Sequence, residues 1–147
     1  MPPLTITYEQ LTPGHEFPPA SYTLGAPVVA RYLRAVGDSS GLYSSPDSLE
    51  QGNFEPGAPV PPTAVAALAM KSLLGAITLP PGSVHLSQDL EFLRQVPVGE
   101  TITCRVRVDR KQERAGLRLL TLDLSVFNGR SDRVMAGKAV VTVPAGK

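Results

Sequence analysis

The chain has 147 residues, enough to bury one sizeable hydrophobic core, and we expect residues 1–147 to form a single domain. Its 14 basic and 13 acidic residues nearly balance, and neither sign forms a long run. Proteins that bind nucleic acids or membrane surfaces concentrate basic residues on one face or in one segment. The composition therefore argues against a polyanionic partner.

The amino-terminal segment is predicted to be extended and interrupted by a turn. Residues 1–7 lack the basic region and the uninterrupted apolar run of a secretory signal, which predicts a cytoplasmic protein. Residues 4–24 predict a short strand, a turn at Pro13–Gly14 and a second extended piece.

The next segment has the apolar spacing of a helix. Apolar side chains, Tyr32 among them, recur at helical intervals from Pro27 to Val36, and the arginines lie off this stripe. Gly37 stands where a helix commonly ends. The segment predicts a surface helix with one buried face.

A long connection rich in Ser, Gly and Pro spans residues 38–62. Inside it, residues 45–52 have a capping serine, a proline in the first turn and a terminal glycine, which predict one short helix. Connections of this length in a compact domain are commonly functional. We therefore expect this segment to contribute to a site.

The segment from Pro62 to Leu74 is almost wholly apolar and rich in alanine, with Lys71 and Ser72 as its strongly polar members. A helix that is apolar nearly all round is expected to be enclosed by other elements. The apolar stretch Ala64–Leu79 is too short for a membrane span. The pattern predicts a central buried helix.

The remainder of the chain predicts long antiparallel strands. Apolar and polar residues alternate from Ile102 to Asp109 and from Leu120 to Val126, and residues 134–143 form the last strand. Asn128–Gly129 predicts the hairpin between the last two strands. The lone cysteine, Cys104, is predicted to face the core in a reducing compartment rather than to act as a nucleophile.

Two segments together resemble the signature of the MaoC-like hydratases and dehydratases: residues 31–43 (RYLRAVGDSSGLY) and residues 57–63 (GAPVPPT), which lead into the apolar helix. Members of this family have the hot-dog fold and add or remove water across the double bond of an acyl thioester. The resemblance runs nearly end to end. It implies an α+β single hot-dog fold, an antiparallel sheet wrapped around a central apolar helix.

The resemblance also implies a catalytic pair, one half of which is altered here. In the family a Gly-Asp pair ends the first helix and a His follows five residues after the Asp. Gly37 and Asp38 match this pattern, whereas Tyr43 replaces the His. A phenol with an unperturbed pKa of about 10 is a poor base at neutral pH, so we expect Asp38 to position water and Tyr43 to assist by a hydrogen bond. From the residues alone, Asp38 could instead cap the loop after Gly37.

The third requirement of the reaction is an amide donor for the enolate oxygen. The family's donor falls by register on the backbone amide of Thr63, at the start of the apolar helix, where unpaired N–H groups favour an anion. Pro62 cannot donate, so Thr63 or Ala64 must. The approach to this helix matches the family, which implies substrate-binding residues Gly57, Pro59, Val60 and Ala64.

His85 is the remaining candidate for the missing imidazole. It alternates with Val84 and Leu86 on a predicted strand, a position typical of a structural histidine. It becomes a catalytic candidate if it faces the same cavity as Asp38.

The Tyr43 version of the motif, the Pro-Pro-Thr helix start and residues 84–96 are most similar to the fatty-acid-synthase-type dehydratase branch. The resemblance therefore predicts reversible hydration of a 2-enoyl thioester on coenzyme A or acyl carrier protein, without a metal or cofactor. Open sheet edges predict a homodimer, or a heterodimer with a related hot-dog subunit.

Two alternatives stay open. One is a non-catalytic acyl-binding or scaffolding subunit that pairs with a chain carrying the intact Asp and His. The other is a hot-dog thioesterase, which would use an acidic residue on the central helix. Residues 63–74 contain no Asp or Glu, which disfavours the thioesterase.

Overall fold

The computed structural model describes residues 7–37, 54–55 and 57–144. Within these ranges the chain forms two α-helices and five strands. In chain order the elements are β1 (Ala20–Thr23), α1 (Ala26–Ala35), α2 (Pro62–Ala76), β2 (Val84–Phe92), β3 (Thr101–Arg114), β4 (Leu117–Phe127) and β5 (Arg133–Val143). The predicted long helices and carboxy-terminal strands are confirmed, while the predicted short helix over residues 45–52 lies outside the described residues.

The five strands form one antiparallel sheet in the order β1-β3-β4-β5-β2. Ala115 and Gly116, with φ values of 51° and 78°, make the two-residue turn between β3 and β4. The hairpin predicted at Asn128 is confirmed, because the Asn128 side chain accepts hydrogen bonds from the amides of Arg130 and Asp132. In this order β1 and β2 are the two edges of the sheet.

Strand alternation separates a buried face of the sheet from a charged face. On β3 the buried residues include Cys104, which is 1% exposed, and on β4 they include Leu122 and Leu124. These side chains pack against α2 in two adjacent clusters, one around Ala64–Ala69 and one around Leu73 and Ile77. The predicted core position of Cys104 is confirmed.

Helix α1 buries one face against the first of these clusters. Val29 and Leu33 of the predicted stripe are buried, and Ala30 is buried beside them. Two other members of that stripe are not, because Val28 is 45% and Val36 57% exposed. Gly37 has φ +70°, the left-handed conformation that ends a helix at little cost for glycine.

Helix α2 lies on the sheet but is not enclosed on all sides, so the prediction of a fully covered helix is wrong. Ala64, Val65 and Leu73 are buried, whereas Lys71 is exposed and Leu74 is 64% exposed. A sheet covers only the side of a helix that rests on it, and α1 joins only the cluster at the first half of α2. No helix of the described part of the chain combines the length and apolarity needed to cross a membrane.

The amino-terminal prediction needs a correction. Tyr8–Gln10 is a 3-10 turn rather than part of a strand. The Gln10 amide donates to the Thr7 carbonyl at 3.1 Å, and the Thr7 amide donates to the Gln10 side chain at 2.9 Å. These two bonds satisfy backbone groups of the turn within the turn itself. The alternation of apolar and polar residues gives no sign of such local bonds. The turn at Pro13–Gly14 and the extended piece at β1 are confirmed.

Gly137 fixes how closely edge strand β2 approaches β5. A Cβ at this position would lie 2.6 Å from the Asp89 carbonyl oxygen and 2.7 Å from Leu90 Cδ2. Real Cβ atoms do not approach backbone oxygens this closely, so the absent side chain lets Leu90 pack on β5 beside the core.

Gly137→Ala is therefore expected to destabilise the fold by about 1–3 kcal/mol, because β2 must move away from β5 or Leu90 must leave its position. Urea denaturation followed by circular dichroism measures the change. The matched control is Gly75→Ala in α2, where a Cβ meets nothing within 4 Å. That control is expected to be neutral or to stabilise the protein by about 0.5–1 kcal/mol. An unchanged unfolding midpoint for Gly137→Ala would contradict the close approach of the two strands.

Candidate active site at the start of the central helix

The chain enters α2 through a short extended segment held against the loop after β2. The Val60 amide donates to the Val96 carbonyl at 2.7 Å, and the Val98 amide donates to the Ala58 carbonyl at 2.8 Å. These two bonds fix the direction in which the backbone reaches Pro61. The position of the helix start is thus tied to the sheet through residues 96–98.

Two consecutive prolines leave few donors at this helix start. The first four backbone positions of a helix have no intrahelical acceptor for their N–H groups. Here Pro61 is the capping residue and Pro62 the first helical residue, and neither has an N–H. The Ala64 amide donates to the Pro61 carbonyl at 2.9 Å. Among the described residues the Thr63 amide has no acceptor, so a donor at the positive end of the helix dipole is left unpaired there.

A cavity of about 410 Å³ adjoins this helix start. Pro62 and Val65 line it from the first turn of α2, and Phe92 lines it from the end of β2. Arg94 and Gln95 supply polar groups in an otherwise apolar lining. The remaining lining residues are Pro59, Val60, Leu93, Val96 and Val134. A cavity of this size and apolarity suits a small apolar ligand.

Thr63 turns its side chain toward α1 rather than into this cavity. The Tyr32 hydroxyl donates to Thr63 Oγ1 at 2.6 Å. The helical spacing of apolar residues in α1 predicts that Tyr32 lies on the buried stripe, and it predicts no role for Tyr32 at the site. The signal that could have found it is the phenol itself, since a tyrosine hydroxyl on a packed helix face requires a hydrogen-bond partner.

The structure does not bring His85 to the helix start within one chain. His85 pairs with Val141, which packs in the cluster around the second half of α2, and its Nε2 lies 3.1 Å from the Ser87 carbonyl oxygen. Phe92, which reaches the cavity, lies about 20 Å further along β2 at the usual rise of a strand. His85 and Thr63 therefore stand at opposite ends of α2.

The other predicted site residues divide into three groups. Asp38 and Tyr43 lie outside the described residues. Pro59 and Val60, for which substrate binding stays a prediction, line the cavity. Two predicted residues do not line it: Gly57 forms an exposed turn with φ +78°, and Ala64 is 4% exposed in the core with its amide already bonded.

A larger trough of about 760 Å³ lies on the charged face of the sheet. Its walls carry a row of alternating charge in register across the strands, Asp89 opposite Lys138, Lys138 opposite Asp123, and Asp123 opposite Arg107. Arg107 and Lys138 both form ion pairs with Asp123, at 3.0 and 3.5 Å. Such paired charges suit a solvated face better than an apolar ligand, so we place the candidate site at the smaller cavity.

Cys104 is not a nucleophile candidate in this environment. Burial raises the pKa of the Cys104 thiol to about 11, because low-dielectric surroundings disfavour the thiolate. In the described ranges no group of three or more His, Cys, Asp and Glu side chains is arranged to hold a metal ion.

Comparison with known proteins identifies the family. The profile of the family described as "FAS1-like, dehydratase domain region" matches residues 11–137. The chain belongs to this family. No curated protein matches the sequence.

Solved structures show the same fold. The (R)-hydratase of A. caviae involved in PHA biosynthesis is 29% identical, with a TM-score of 0.73 over 92% of this chain and 99% of that one. The unliganded (R)-hydratase PhaJ1 of Pseudomonas aeruginosa is 19% identical, with a TM-score of 0.77 over 97% and 88%. The truncated HadBC complex of Mycobacterium tuberculosis, a (3R)-hydroxyacyl-ACP dehydratase, is 19% identical, with a TM-score of 0.67 over 88% and 96%. The predicted MaoC-like dehydratase family and α+β hot-dog fold are thereby confirmed.

The environment of Cys104 gives a testable result. At pH 8 the native protein is expected to react slowly with a thiol reagent such as DTNB, whereas protein unfolded in urea reacts at once, because burial suppresses both access and ionisation. Burial raises the pKa of the Cys104 thiol in the folded protein, so the buried neutral thiol contributes fully to stability below the pKa of an unfolded cysteine, about 8.5. That contribution is lost as the pH rises through the folded-state pKa of about 11. Rapid stoichiometric labelling of the native protein would contradict this core position.

Proposed function

We propose that this chain binds a short 2-enoyl or 3-hydroxyacyl thioester at the start of α2 and interconverts the two by adding or removing water. The observation that carries the proposal is the Thr63 amide, which has no acceptor among the described residues and lies at a helix start beside an apolar cavity of about 410 Å³. The amide is the donor that a thioester oxygen requires, and the cavity suits its acyl chain. Membership of a dehydratase family supports the reaction class.

In the proposed hydration, Asp38 accepts a proton from water as the water oxygen bonds to the β carbon of the enoyl group. The electrons of the double bond move toward the thioester, and the negative charge that develops on its oxygen is stabilised by the Thr63 N–H. The protonated Asp38 carboxyl then gives its proton to the α carbon, which restores the carboxylate, so that the product differs from the substrate by one water. Tyr43 assists by donating a hydrogen bond, and dehydration follows the same path in reverse.

The proposed substrate contacts follow from the lining of the cavity. Pro59 and Val60 contact the acyl chain from one side, and Phe92 contacts it from the end of β2. The carrier of the thioester is coenzyme A or acyl carrier protein. The reaction needs neither a metal nor a redox cofactor, since addition of water changes no oxidation state overall.

A second candidate function is an acyl-binding subunit without full activity, paired with a related chain that supplies the Asp and His. Two observations favour it: Tyr43 occupies the position of the family's His, and His85 lies at the far end of α2 from Thr63. The HadBC dehydratase has this fold and is a complex.

In both candidates we propose that the partner, a second copy or a related hot-dog subunit, pairs with edge strand β2. The described residues have eight large exposed hydrophobic side chains, and four of the eight lie in residues 84–93. These four are Val84, Leu86, Phe92 and Leu93. An unpaired edge strand of nine residues with exposed apolar side chains promotes aggregation. Pairing this edge with a partner prevents that aggregation.

One assay separates the two candidate functions. Purified protein is incubated with crotonyl-CoA, and the loss of enoyl absorbance is compared among the parent chain, Asp38→Asn and Tyr43→His. If the chain is a hydratase, the parent turns over, and Asp38→Asn lowers kcat by roughly 10²- to 10⁴-fold because the general base is lost.

The outcomes of that assay are distinct. No turnover by the parent, together with a gain on Tyr43→His, favours the acyl-binding subunit. Turnover that survives Asp38→Asn sinks the mechanism proposed for this site.

The pairing surface is tested by a charge on β2. Leu86→Lys is expected to shift the protein from a dimer toward the 15.6 kDa chain in multi-angle light scattering, because each copy would place a lysine charge on the paired edge. Val28→Lys on α1 is the matched control, since Val28 is 45% exposed and Leu86 54% exposed. A Leu86→Lys protein that keeps the parent's assembly state would show that β2 is not the pairing edge.

A further inference from the structure

The cavity beside the start of α2 has a buried apolar floor and an exposed rim. Four buried valines form the floor: Val60, Val65, Val96 and Val134. On the rim, Phe92 and Leu93 are exposed, and so are Arg94 and Gln95, which follow them in the chain. A ligand in this cavity therefore meets apolar groups on the floor and a charged side chain at the opening.

The positive charge at this opening is not neutralised by the protein. Arg94 is the one charged residue in the lining, which contains no Asp or Glu. Within residues 7–37, 54–55 and 57–144, no side chain forms an ion pair or a hydrogen bond with the Arg94 guanidinium. The charged trough differs, because there Arg107 and Lys138 both pair with Asp123. The smaller cavity thus presents a cation to whatever occupies it.

Backbone hydrogen bonds hold the chain on both sides of this arginine. The amides of Leu93 and Arg94 donate to the Val134 carbonyl, at 2.9 and 3.4 Å. Two residues further on, the Val96 carbonyl accepts from the Val60 amide at 2.7 Å. Because the backbone is held in this way, binding through the guanidinium has to order only the Arg94 side chain, which lowers its entropic cost.

We propose that Arg94 binds an oxyanion of the thioester ligand while the acyl chain lies on the valine floor. The planar guanidinium presents parallel N–H donors, which match two oxygens of a phosphate or of a carboxylate. A thioester ligand can supply such a group from two sources, the phosphates of its carrier or a terminal carboxylate on its acyl chain. The inference rests on the proposed function, because it names a further group that the same site recognises.

The charge of the ligand then determines how well it uses the rim. A neutral acyl ligand that covers Arg94 removes water from the guanidinium without replacing it, and that desolvation opposes binding. An oxyanion replaces the lost water with charge-assisted hydrogen bonds, which are stronger than those between neutral groups. Arg94 therefore contributes to the selection of anionic thioesters and takes no part in the addition of water.

The test compares three probes that cannot be hydrated, because their acyl chains have no double bond. Butyryl-CoA carries phosphates, glutaryl-pantetheine carries a terminal carboxylate, and butyryl-pantetheine carries neither. Each probe is titrated into the full chain by calorimetry. The variants are Arg94→Gln, which removes the charge, and Arg94→Lys, which keeps it. The matched control is Arg130→Gln, since Arg130 is also exposed but does not line this cavity.

The parent is expected to bind at least one anionic probe roughly 10-fold more tightly than butyryl-pantetheine, as expected for a charge-assisted contact. Arg94→Gln should abolish this preference and leave the affinity for butyryl-pantetheine unchanged, which also shows that the variant is folded. Arg94→Lys should keep part of the preference, because a lysine lacks the paired donors. Added salt should weaken binding of the anionic probe alone. Arg130→Gln should alter none of these affinities.

The two anionic probes distinguish the sources of the oxyanion. A preference for butyryl-CoA that depends on Arg94 assigns the contact to a phosphate of the carrier. A preference for glutaryl-pantetheine that depends on Arg94 assigns it to a carboxylate on the acyl chain.

The results that overturn this inference differ from those that overturn the proposed function. A parent chain that binds none of the three probes overturns both. A parent that binds butyryl-pantetheine as tightly as both anionic probes overturns the role of Arg94 and leaves the acyl site intact. A preference that survives Arg94→Gln also overturns it, because the anion would then be bound elsewhere. An equal loss in Arg130→Gln overturns it too, because net charge alone would then explain the preference.

Discussion

The start of α2 is the constraint on which the site depends. Two prolines enter the helix in succession, so the usual set of free N–H groups is reduced to Thr63 among the described residues. The position of Thr63 is set by two backbone bonds, Val60 to Val96 and Val98 to Ala58, which tie the helix start to the sheet. A helix start that was free to move could not hold an oxyanion donor at a fixed distance from an acyl chain. In the proposed function, the packing of α2 on the sheet therefore serves the chemistry as well as the fold.

The two faces of the sheet have different roles. One face packs against α2 through buried residues such as Val108 and Leu122. The other carries ion pairs centred on Asp123 that are partly exposed, and exposed pairs contribute little to stability. Half of the large apolar side chains that stay exposed in the described residues lie on β2 or directly after it, and β2 also brings Phe92 to the cavity. The proposed binding of an acyl chain and the proposed pairing with a partner thus involve the same strand.

Much of the fold could be predicted from the sequence because it follows from local periodicity. Alternation over β3–β5 and helical spacing in α1 and α2 gave the correct elements, and the Asn128 turn gave the hairpin. The predictions that were wrong concern features that depend on contacts outside the local sequence pattern. The 3-10 turn at Tyr8–Gln10 depends on reciprocal capping, and the exposure of Leu74 depends on which neighbours cover the helix. At the candidate site, the register with the family indicated the Thr63 amide, and its role stays a prediction. The partner of the Thr63 hydroxyl, Tyr32, is 31 residues away, and no local pattern links the two.

The central claim is that an acyl thioester binds at the start of α2, and amide chemical shifts test it most directly. Uniformly ¹⁵N-labelled protein is titrated with crotonyl-CoA while the backbone amides are followed by NMR. The account predicts that the Thr63 amide shows the largest downfield shift, with Val65, Val96 and Leu93 moving at the same ligand concentration. Shifts confined to Asp89, Asp123 and Lys138, with the Thr63 amide unmoved at saturation, would place the ligand in the charged trough and contradict the account.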